Sequence, residues 1–560
     1  MAQTDAPRSE SEVPAQALAD VAILGLGPVG CFAAILLARR GLRVLAVERD
    51  EAVYKLPRAV NLDGEVVRSV QPFGLAEELN SLLQPLRPGE RAGFANSRRE
   101  FLFGAESRDF GANGWQPMNM FDQPELEAYL RDTALDQDNV TAYIGFEATE
   151  FCDHGDRVSL SVAPAKQPAA DTEADAGVLT AADTETEAEA ETETATPKTL
   201  EARYLIACDG ASSFTRKTLG IGWHDLGYNH DWLVVDITTL PGHTLGTTTM
   251  QVCDPDRIST YVCTKDPYRR WEFKLNKGET WEEMLDPERI RSLIEAWTPA
   301  GTYEIRRAAM YQFHAATADT WRVGNVFIAG DAAHQTPPFL GQGMNAGVRD
   351  VINLGWKLPL VRSGLLEERF LDSYQAERDA HAHDLVEWAV SIGRLMEHLA
   401  AVEAAERAGE APPETPPALK AAGYGQGRGQ PPLRAGALMT EQVREDGPVG
   451  FLFAQPIVRD GAREVRLDEV LGPGFAVVGL TAEDLKLSPE SERLLDRLGA
   501  RRVVLDGLAE ARGHFDRGYL ETPVMIIRPD RIVFGVTTAT VDLDSLVKAL
   551  GERLCLRDFC

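Results

Sequence analysis

The order of apolar and polar residues predicts a strand–helix–strand unit near the start of the chain. An apolar run at 21–24 is followed by a glycine-rich turn, a helical stretch at 31–40 and a second apolar run at 44–47. Further along, residues 157–162 and 202–207 both alternate as strands do. We therefore expect a βαβ unit of a parallel sheet and, after it, a hairpin whose tip lies between the two alternating segments.

The C-terminal part of the chain has the pattern of a second, smaller domain. Prolines and glycines dominate residues 404–438, which predicts a linker. Beyond it, residues 439–560 contain strand-like apolar runs and a final helical stretch, at 475–480, 502–505, 524–530, 532–535 and 543–554. We expect a thioredoxin-like α/β domain. Because it has no C-x-x-C pair, we expect it to serve structure or dimerisation and not redox chemistry.

Three glycines and one acid in the first unit indicate a nucleotide. Gly25 permits the tight turn out of the strand, Gly27 lets backbone N–H groups approach a pyrophosphate, and Gly30 lets the helix pack closely on the strand. Glu48, at the end of the second strand, can accept hydrogen bonds from a ribose diol and would repel a 2′-phosphate. The pattern therefore predicts that the adenosine diphosphate half of FAD or NAD binds here.

Composition argues against several other classes of protein. The chain has 560 residues, 44% of them hydrophobic, which is enough for several domains. No stretch reaches the ~20 apolar residues of a membrane span. The net charge of −29 argues against a nucleic-acid or anionic-membrane partner. The seven cysteines are odd in number and never spaced C-x-x-C, which predicts a reducing cytoplasm with neither a disulfide framework nor a zinc site.

Two segments have too few large apolar residues to fold. Residues 1–19 are polar and lack the apolar core of a signal peptide, so we expect a disordered N-terminus. Residues 164–199 are rich in Thr, Glu and Ala. Because they separate the two alternating strands, we expect a disordered acidic insertion at the hairpin tip.

Two further motifs favour a flavin over NAD alone. In the first, a strand ends in Asp-Gly at 209–210 and a Ser/Thr-capped helix follows. In the second, a buried strand ends in Gly-Asp at 330–331, and a glycine-rich turn after a proline pair starts a helix near Gly343. Asp331 can bind ribitol hydroxyls. The positive end of the helix at Gly343 can face the pyrimidine side of an isoalloxazine and stabilise its anionic reduced form.

These three motifs, in this order, resemble those of the group A flavin-dependent aromatic hydroxylases over roughly residues 20–399. The C-terminal domain resembles the appendage of larger members such as phenol hydroxylase and polyketide hydroxylases. Four blocks look like the 3-(3-hydroxyphenyl)propionate hydroxylase branch, at 57–65, 123–127, 232–236 and 269–273. The resemblance implies an α/β fold with a Rossmann-like FAD-binding domain and an interleaved β-sheet substrate domain within residues 20–403.

The resemblance also implies a reaction. NADH or NADPH reduces FAD, O2 adds at flavin C4a, and the hydroperoxide delivers one hydroxyl to a phenol beside its existing hydroxyl, with loss of water. The branch implies 3-(3-hydroxyphenyl)propionate or 3-hydroxycinnamate as substrate and the 2,3-dihydroxy compound as product, in aromatic degradation. The choice between NADH and NADPH, and a possible homodimer, stay open.

Individual residues acquire expected roles. For the cofactor, the adenosine half is assigned to Gly25, Gly27, Gly30 and Glu48, the pyrophosphate or ribityl to Arg58 and Gln123, ribitol to Asp331, and the flavin ring to Gly343, Met344 and Asn345. Hydroxylation needs a base for the phenol proton and a site closed to water, and the candidate bases are Asp63, Tyr311 and His314. A substrate carboxylate would need a cation, for which the candidates are Arg257, Arg269 and Arg270.

Other functions remain open alongside this one. The substrate could be another phenol or an aromatic polyketide. The chain could also be a flavin oxidase or dehydrogenase, or a flavoprotein without catalysis. A flavin halogenase is disfavoured, because the Trp-x-Trp-x-Ile-Pro element of tryptophan halogenases is absent.

Overall fold

The fold is known from a computed structural model. It describes residues 18–87, 89–108, 110–165, 178–180, 197–417, 419, 430–514 and 524–557. Most of the predicted disordered N-terminus, most of the acidic insertion and part of the linker therefore lie outside the described residues. Of the insertion, residues 178–180 form a short strand.

The described strands cover both predicted domains. They are, in chain order, β1 (Ala19–Leu24), β2 (Val44–Glu48), β3 (Asn61–Asp63), β4 (Gln84–Pro85), β5 (Arg91–Ala95), β6 (Phe101–Glu106), β7 (Met118–Met120), β8 (Val140–Ile144), β9 (Phe146–Asp153), β10 (Val158–Pro164), β11 (Val178–Thr180), β12 (Lys198–Ala207), β13 (Trp223–Asp225), β14 (His230–Thr239), β15 (Thr249–Val252), β16 (Ser259–Val262), β17 (Tyr268–Lys274), β18 (Tyr303–Phe313), β19 (Ala316–Ala318), β20 (Arg322–Val323), β21 (Val326–Ile328), β22 (His334–Gln335), β23 (Ile457–Asp460), β24 (Arg463–Arg466), β25 (Ala476–Gly479), β26 (Arg501–Val504), β27 (Ala509–Arg512), β28 (Val524–Ile527) and β29 (Val533–Val536).

Helices alternate with these strands. The α-helices are α1 (Pro28–Ala38), α2 (Gly64–Val70), α3 (Ala76–Ser81), α4 (Gln123–Leu135), α5 (Phe214–Thr218), α6 (Trp281–Leu285), α7 (Pro287–Glu295), α8 (Gly343–Arg362), α9 (Ser373–Ala408), α10 (Leu467–Leu471), α11 (Pro489–Arg497) and α12 (Leu543–Arg553). Short 3₁₀ turns span Gln71–Phe73, Gly330–Ala332, Pro338–Leu340, Glu368–Asp372 and Thr440–Gln442. Among the described residues, no helix has the length and apolar character needed to cross a membrane.

The first sheet confirms the predicted βαβ unit. Its strand order is β20-β21-β12-β1-β2-β8, and β21, β12, β1, β2 and β8 run parallel to their neighbours. Strands β10 and β12 pair in an antiparallel hairpin, as the alternating segments predict. Helix α1 is buried from Gly30 to Ala38, because it packs between this sheet, α4 and α8. In a parallel sheet of this kind, ligands bind beside the carboxyl ends of the strands, and the carboxyl ends of β1, β2 and β12 lie at the same edge.

The second sheet comes from chain segments interleaved with the first. Its order is β11-β18-β14-β17-β16-β15-β5-β6. Side chains alternate between its faces: Trp271 and Phe273 pack against α6 and α7 in an apolar cluster, while Arg270 and Glu272 point to the opposite face. That opposite face looks toward the first sheet.

The C-terminal domain has the mixed sheet order β26-β25-β28-β29, with β26 parallel and the other pairs antiparallel. The predicted thioredoxin-like α/β class is confirmed. Its core is continuous with that of the main body: the Trp356 ring of α8 meets Phe475 edge-on with centroids 5.6 Å apart. Helix α9 continues to Ala408, five residues into the predicted linker, and ends at Gly409 in the left-handed conformation with φ +72°.

Candidate functional site

A cavity of about 1370 Å³ lies between the first sheet and the second. It begins at the carboxyl ends of β1 and β2 and extends along β15, β16 and β17. Pockets for one small ligand usually measure about 300–1,000 Å³. This cavity therefore has room for a large cofactor and a second, smaller molecule.

The three glycines of the turn at one end of the cavity differ in the space around their Cα atoms. Gly25 has φ +93°, and a Cβ there would lie 2.5 Å from the Cys208 carbonyl oxygen. A Cβ on Gly30 would lie 1.8 Å from the Gly25 carbonyl oxygen, so Gly30 permits helix α1 to approach the turn. A Cβ on Gly27 would meet nothing within 4 Å, and Gly27 lines the cavity. Gly25 and Gly30 thus shape the protein, while Gly27 leaves space for a ligand.

Glu48 lies beside this turn, as predicted. Its carboxylate lines the cavity and accepts hydrogen bonds from the backbone N–H groups of Leu26 (2.5 Å) and Asp50 (2.9 Å). These bonds hold the carboxylate at the end of β2, where it can also accept hydrogen bonds from ligand hydroxyls.

Arg58 and Gln123 occupy neighbouring positions but do different things. Arg58 is exposed to the cavity with its guanidinium 4.4 Å from the centre of the Tyr54 ring. The Gln123 side-chain oxygen accepts hydrogen bonds from the backbone N–H groups of Arg58 (3.0 Å) and Ala59 (2.7 Å), and its amide donates to Glu127. Gln123 therefore positions the loop that carries Arg58.

Asp331 projects into the middle of the cavity. Its side chain is exposed to the cavity although it lies deep in the fold, and burial raises the pKa of its carboxyl. Beneath it, buried Asp350 accepts hydrogen bonds from the Gly330 backbone N–H (2.9 Å) and Arg378 (2.9 Å), and lies 2.8 Å from His334. Burial opposes the ionisation of Asp350, but His334 and Arg378 hold its pKa below the usual value. This network fixes the turn that presents Asp331.

Helix α8 begins at the cavity, as predicted. Gly343 and Met344 line it, and a Cβ on Gly343 would meet nothing within 4 Å. Asn345 does not line the cavity: its amide donates to the carbonyl oxygens of Asn61 (3.1 Å) and Gly341 (2.9 Å), and its oxygen accepts from the Asp63 backbone N–H. Asn345 therefore supports the turn from behind.

These residues fit a flavin dinucleotide. The N-termini of α1 and α8 both face the cavity and carry no acid in their first turns, so each offers positive potential to an anionic group. Glu48 and Asp331 offer carboxylates to hydroxyls between those two ends. The open space at Gly27 and Gly343 gives a ligand direct access to both helix ends.

The three candidate bases lie in different places. Tyr311 lines the cavity from β18. His314 also lines it, but is exposed at its mouth, with Nδ1 2.6 Å from the Asn229 side-chain oxygen. Asp63 does not line the cavity: its carboxylate pairs with Arg349 (2.6 Å) and accepts hydrogen bonds from Gln342 (3.1 and 3.2 Å). The geometry places Asp63 behind Gln342, whereas Tyr311, which is half-buried, and His314, which is exposed, both line the cavity.

The structure brings only one of the candidate substrate-binding arginines to the cavity. Arg257 pairs with Glu279, and Arg269 pairs with Asp266 (2.8 Å), both away from the lining. Arg270 lines the cavity, but its guanidinium binds Asp236 (2.7 and 3.1 Å) and donates to the backbone carbonyls of residues 57 and 58. All three guanidiniums are thus occupied by protein acceptors.

Glu272 is a cavity residue that is not among the candidates from the sequence. It is buried at 5% exposure, lines the cavity from β17, and its carboxylate makes no hydrogen bond to any residue that the structure describes. Burial raises the pKa of Glu272 to about 7, although Arg270 opposes the shift. The alternation of Arg270 and Glu272 with Trp271 and Phe273 was the available signal, because it separates a polar face from a core face.

Residues 18–389 match the family described as FAD binding domain, and residues 450–553 match the HcaD C-terminal domain. Together these matches include the nucleotide turn, the cavity and the C-terminal sheet.

Curated relatives match over nearly the whole chain. A 3-(3-hydroxy-phenyl)propionate/3-hydroxycinnamic acid hydroxylase of Klebsiella pneumoniae subsp. pneumoniae is 30% identical, covering 97% of this chain and 96% of its own. A probable NADH-specific resorcinol 4-hydroxylase of Rhodococcus jostii is also 30% identical, with coverage of 95% and 94%. Among solved structures, aklavinone-11 hydroxylase with FAD and aklavinone has a TM-score of 0.73 at 24% identity, covering 96% of this chain and 99% of its own. That likeness supports the fold.

Proposed function

Because this chain belongs to the FAD-dependent aromatic hydroxylases, we propose that it uses a nicotinamide donor and O2 to hydroxylate a phenol beside its existing hydroxyl. The observation that carries the proposal is the continuous cavity, which joins a nucleotide-binding turn at one end to the face of a β-sheet at the other. FAD, when bound, would accept electrons from the nicotinamide and transfer one oxygen atom of O2 to the substrate.

The residues of the chain would hold FAD by complementary charge. Glu48 would accept hydrogen bonds from the ribose and Asp331 from ribitol. The α1 N-terminus and Arg58 would face the diphosphate. Gly343 and Met344 would lie at the flavin ring, where the α8 dipole favours negative charge.

Aromatic side chains would exclude water from the substrate end. The Phe339 ring packs against Trp232, Phe313 and Tyr228, with centroids 5.4, 6.2 and 5.8 Å apart. Phe339 also lines the cavity from the turn that leads into α8. An apolar wall beside the reacting atoms protects an oxygen-transferring site from hydrolysis and premature release of peroxide.

The first candidate substrate is 3-(3-hydroxyphenyl)propionate or 3-hydroxycinnamate, hydroxylated to the 2,3-dihydroxy compound. The name and the nearly complete coverage of the Klebsiella relative support it. The donor is proposed to be NADH, supported by the name of the Rhodococcus relative.

A specific observation favours a second candidate, an uncharged phenol such as resorcinol. Among the described residues, Arg270 is the cavity-lining cation of the second sheet, and Asp236 and two backbone carbonyls occupy it. Glu272 would repel a substrate carboxylate on the same face. A neutral phenol avoids both difficulties.

The two substrate candidates are separated by steady-state assays. The purified enzyme would be given 3-(3-hydroxyphenyl)propionate, 3-hydroxycinnamate or resorcinol, with NADH and NADPH compared at each. The proposal predicts that one of these phenols accelerates reductant oxidation and yields a product one oxygen atom heavier. Stimulation by the carboxylates alone would reject the second candidate, and failure of all three phenols would reject the proposed function for these substrates.

Replacing Pro338 by alanine is expected to uncouple reductant oxidation from hydroxylation. Pro338 lines the cavity and starts the 3₁₀ turn Pro338–Leu340 that holds Phe339. Without the proline ring the native turn is favoured by about 0.4–1 kcal/mol less over other backbone conformations. That free energy corresponds to a factor of about two to five, and we expect peroxide release per NADH to rise by this factor.

The matched control is Pro287→Ala, which removes an exposed proline from the start of helix α7. Peroxide and catechol would be measured per NADH consumed for both variants. Equal coupling in wild type, Pro338→Ala and Pro287→Ala would mean that the turn only supports the fold.

A further inference from the structure

The face of the second sheet that lines the cavity carries a row of polar side chains. Strand pairing places Gln251 of β15 opposite Thr260 of β16, and Thr260 opposite Glu272 of β17. All three line the cavity. The Thr260 hydroxyl donates to the Gln251 side-chain oxygen at 2.6 Å, and the Gln251 amide donates to the Phe339 carbonyl oxygen at 3.3 Å. The row therefore runs from Glu272 to the turn that precedes α8.

Glu272 is the unsatisfied member of this row. Thr260 and Gln251 are each hydrogen-bonded, whereas the Glu272 carboxylate makes no hydrogen bond or ion pair with any residue in the described part of the chain. Its side-chain oxygens are not completely buried, and the residue lines the cavity, so a ligand in the cavity can reach the carboxylate. A buried carboxyl with no donor is costly to keep unless a ligand supplies one.

Two charged groups act on the pKa of Glu272 in opposite directions. Arg270 on its own strand attracts negative charge, but that guanidinium is committed to Asp236 of β14, which repels it. Thr260 and Gln251, which face it from β16 and β15, are uncharged, and Tyr311 of β18 lines the cavity beyond β14. Burial is the dominant influence, and it raises the pKa of Glu272 to about 7.

We propose that Glu272 is the catalytic base that accepts the proton of the substrate's phenolic hydroxyl. The step rests on the proposed function. The phenolic O–H bond breaks, its electron pair stays on the phenol oxygen, and an O–H bond forms on the Glu272 carboxylate. The resulting negative oxygen makes the neighbouring ring carbon a better nucleophile for oxygen transfer. A base whose pKa lies near the working pH suits this task better than a fully exposed carboxylate.

The same assignment accounts for the position of Glu272. The phenolic hydroxyl donates the hydrogen bond that the carboxylate lacks, and the polar row connects that contact with the loop carrying Phe339. Tyr311, a candidate base from the sequence, lines the same cavity from β18.

The first test measures hydroxylation by Glu272→Gln, which keeps the shape of the side chain and removes its basicity. We expect normal FAD content, and hydroxylation of the phenol that the wild type accepts to fall about 10²–10⁴-fold, with peroxide released instead. Wild type should show an inflection of the hydroxylation rate near neutral pH that the variant lacks. Glu282→Gln, an exposed acid on α6, serves as the matched control and should behave as wild type.

The second test does not need turnover. 4-Nitrophenol, a phenol acidic enough to share a proton with such a carboxyl, would be bound to the oxidised holoenzyme, and difference spectra would measure its coloured phenolate form. Because an ionised Glu272 beside the hydroxyl disfavours the phenolate, we expect bound 4-nitrophenol to lose its proton at a higher pH in wild type and Glu282→Gln than in Glu272→Gln.

These readouts separate two kinds of failure. If wild type hydroxylates none of the phenols but Glu272→Gln lowers the pH at which bound 4-nitrophenol ionises, the proposed function fails and the placement of Glu272 beside the phenolic hydroxyl stands. If Glu272→Gln ionises bound 4-nitrophenol as wild type does, or hydroxylates with the wild-type rate and pH profile, Glu272 is not the base.

Discussion

Replacing Glu377 by glutamine is expected to lower the free energy of unfolding by about 3–5 kcal/mol, the usual cost of breaking a buried ion pair. Glu377 of α9 is fully buried, and its carboxylate lies 2.9 Å from Lys357 of α8. It also accepts hydrogen bonds from Arg528 of the C-terminal domain (2.9 and 3.1 Å), Asn353 (2.6 Å) and the Ala437 backbone N–H (2.8 Å). The change would leave two buried cations with less compensation.

This carboxylate connects the two halves of the molecule, so the loss should affect docking of the C-terminal domain as well as global stability. Arg528 retains Asp530 as a partner at 2.5 Å, which places the expected effect toward the lower end of that range. Glu483→Gln is the matched control, because Glu483 forms an exposed pair with Lys486. Exposed pairs of this kind contribute about 0–1 kcal/mol.

Urea unfolding followed by intrinsic fluorescence would measure both variants. The pH dependence of the free energy of unfolding gives a second test. Burial opposes ionisation of Glu377, but Arg528 and Lys357 lower its pKa from 4.5 to about 2. The stability it contributes is therefore fully present above pH 4.5 and is lost as pH falls toward 2. Glu377→Gln should lack that part of the acid dependence. A variant as stable as Glu483→Gln would contradict the role assigned to this cluster.

Replacing Gly27 by valine is expected to weaken FAD binding by about 10- to 150-fold while leaving the apoprotein folded. Gly27 has extended backbone angles, φ −65° and ψ −178°, which valine adopts readily, and an added Cβ meets no protein atom within 4 Å. The side chain would instead occupy the space through which the diphosphate reaches the α1 N-terminus. Loss of one hydrogen bond to a charged group costs about 1.5–3 kcal/mol, which corresponds to roughly this change in affinity.

Gly246→Val is the control for this experiment, because Gly246 is exposed and also has no atom within 4 Å of an added Cβ. FAD affinity would be measured by titrating apoprotein and following flavin fluorescence, with thermal unfolding of the apoprotein as the check on folding. Unchanged FAD affinity in a folded Gly27→Val protein would remove the glycine turn from the proposed cofactor site.

The cofactor end of the site could be predicted from the sequence because its signals are local. The turn at 25–30 and Glu48 lie within one βαβ unit, and the Gly-Asp turn at 330–331 directly follows a buried strand. In each case neighbouring residues determine both the secondary structure and the exposed position. The parallel sheet and the thioredoxin-like class follow from the same kind of pattern.

The substrate end could not be predicted in the same way, because its geometry depends on residues far apart in the chain. The sequence suggests Asp63 as a candidate base but does not reveal that its carboxylate pairs with Arg349, 286 positions away. Arg257 and Arg269 pair with acids whose proximity the sequence does not reveal. Glu272 becomes notable only once strand register places it in the row with Thr260 and Gln251.

The most direct test of the central claim is the mass of the product formed under ¹⁸O₂. The holoenzyme would be supplied with NADH and whichever phenol accelerates its oxidation, and the product would be analysed against a reaction under ordinary O2. The account predicts a product with one hydroxyl more than the phenol supplied, and that added oxygen atom is labelled. An unlabelled product, or phenol recovered unchanged while labelled hydrogen peroxide accumulates, would contradict it.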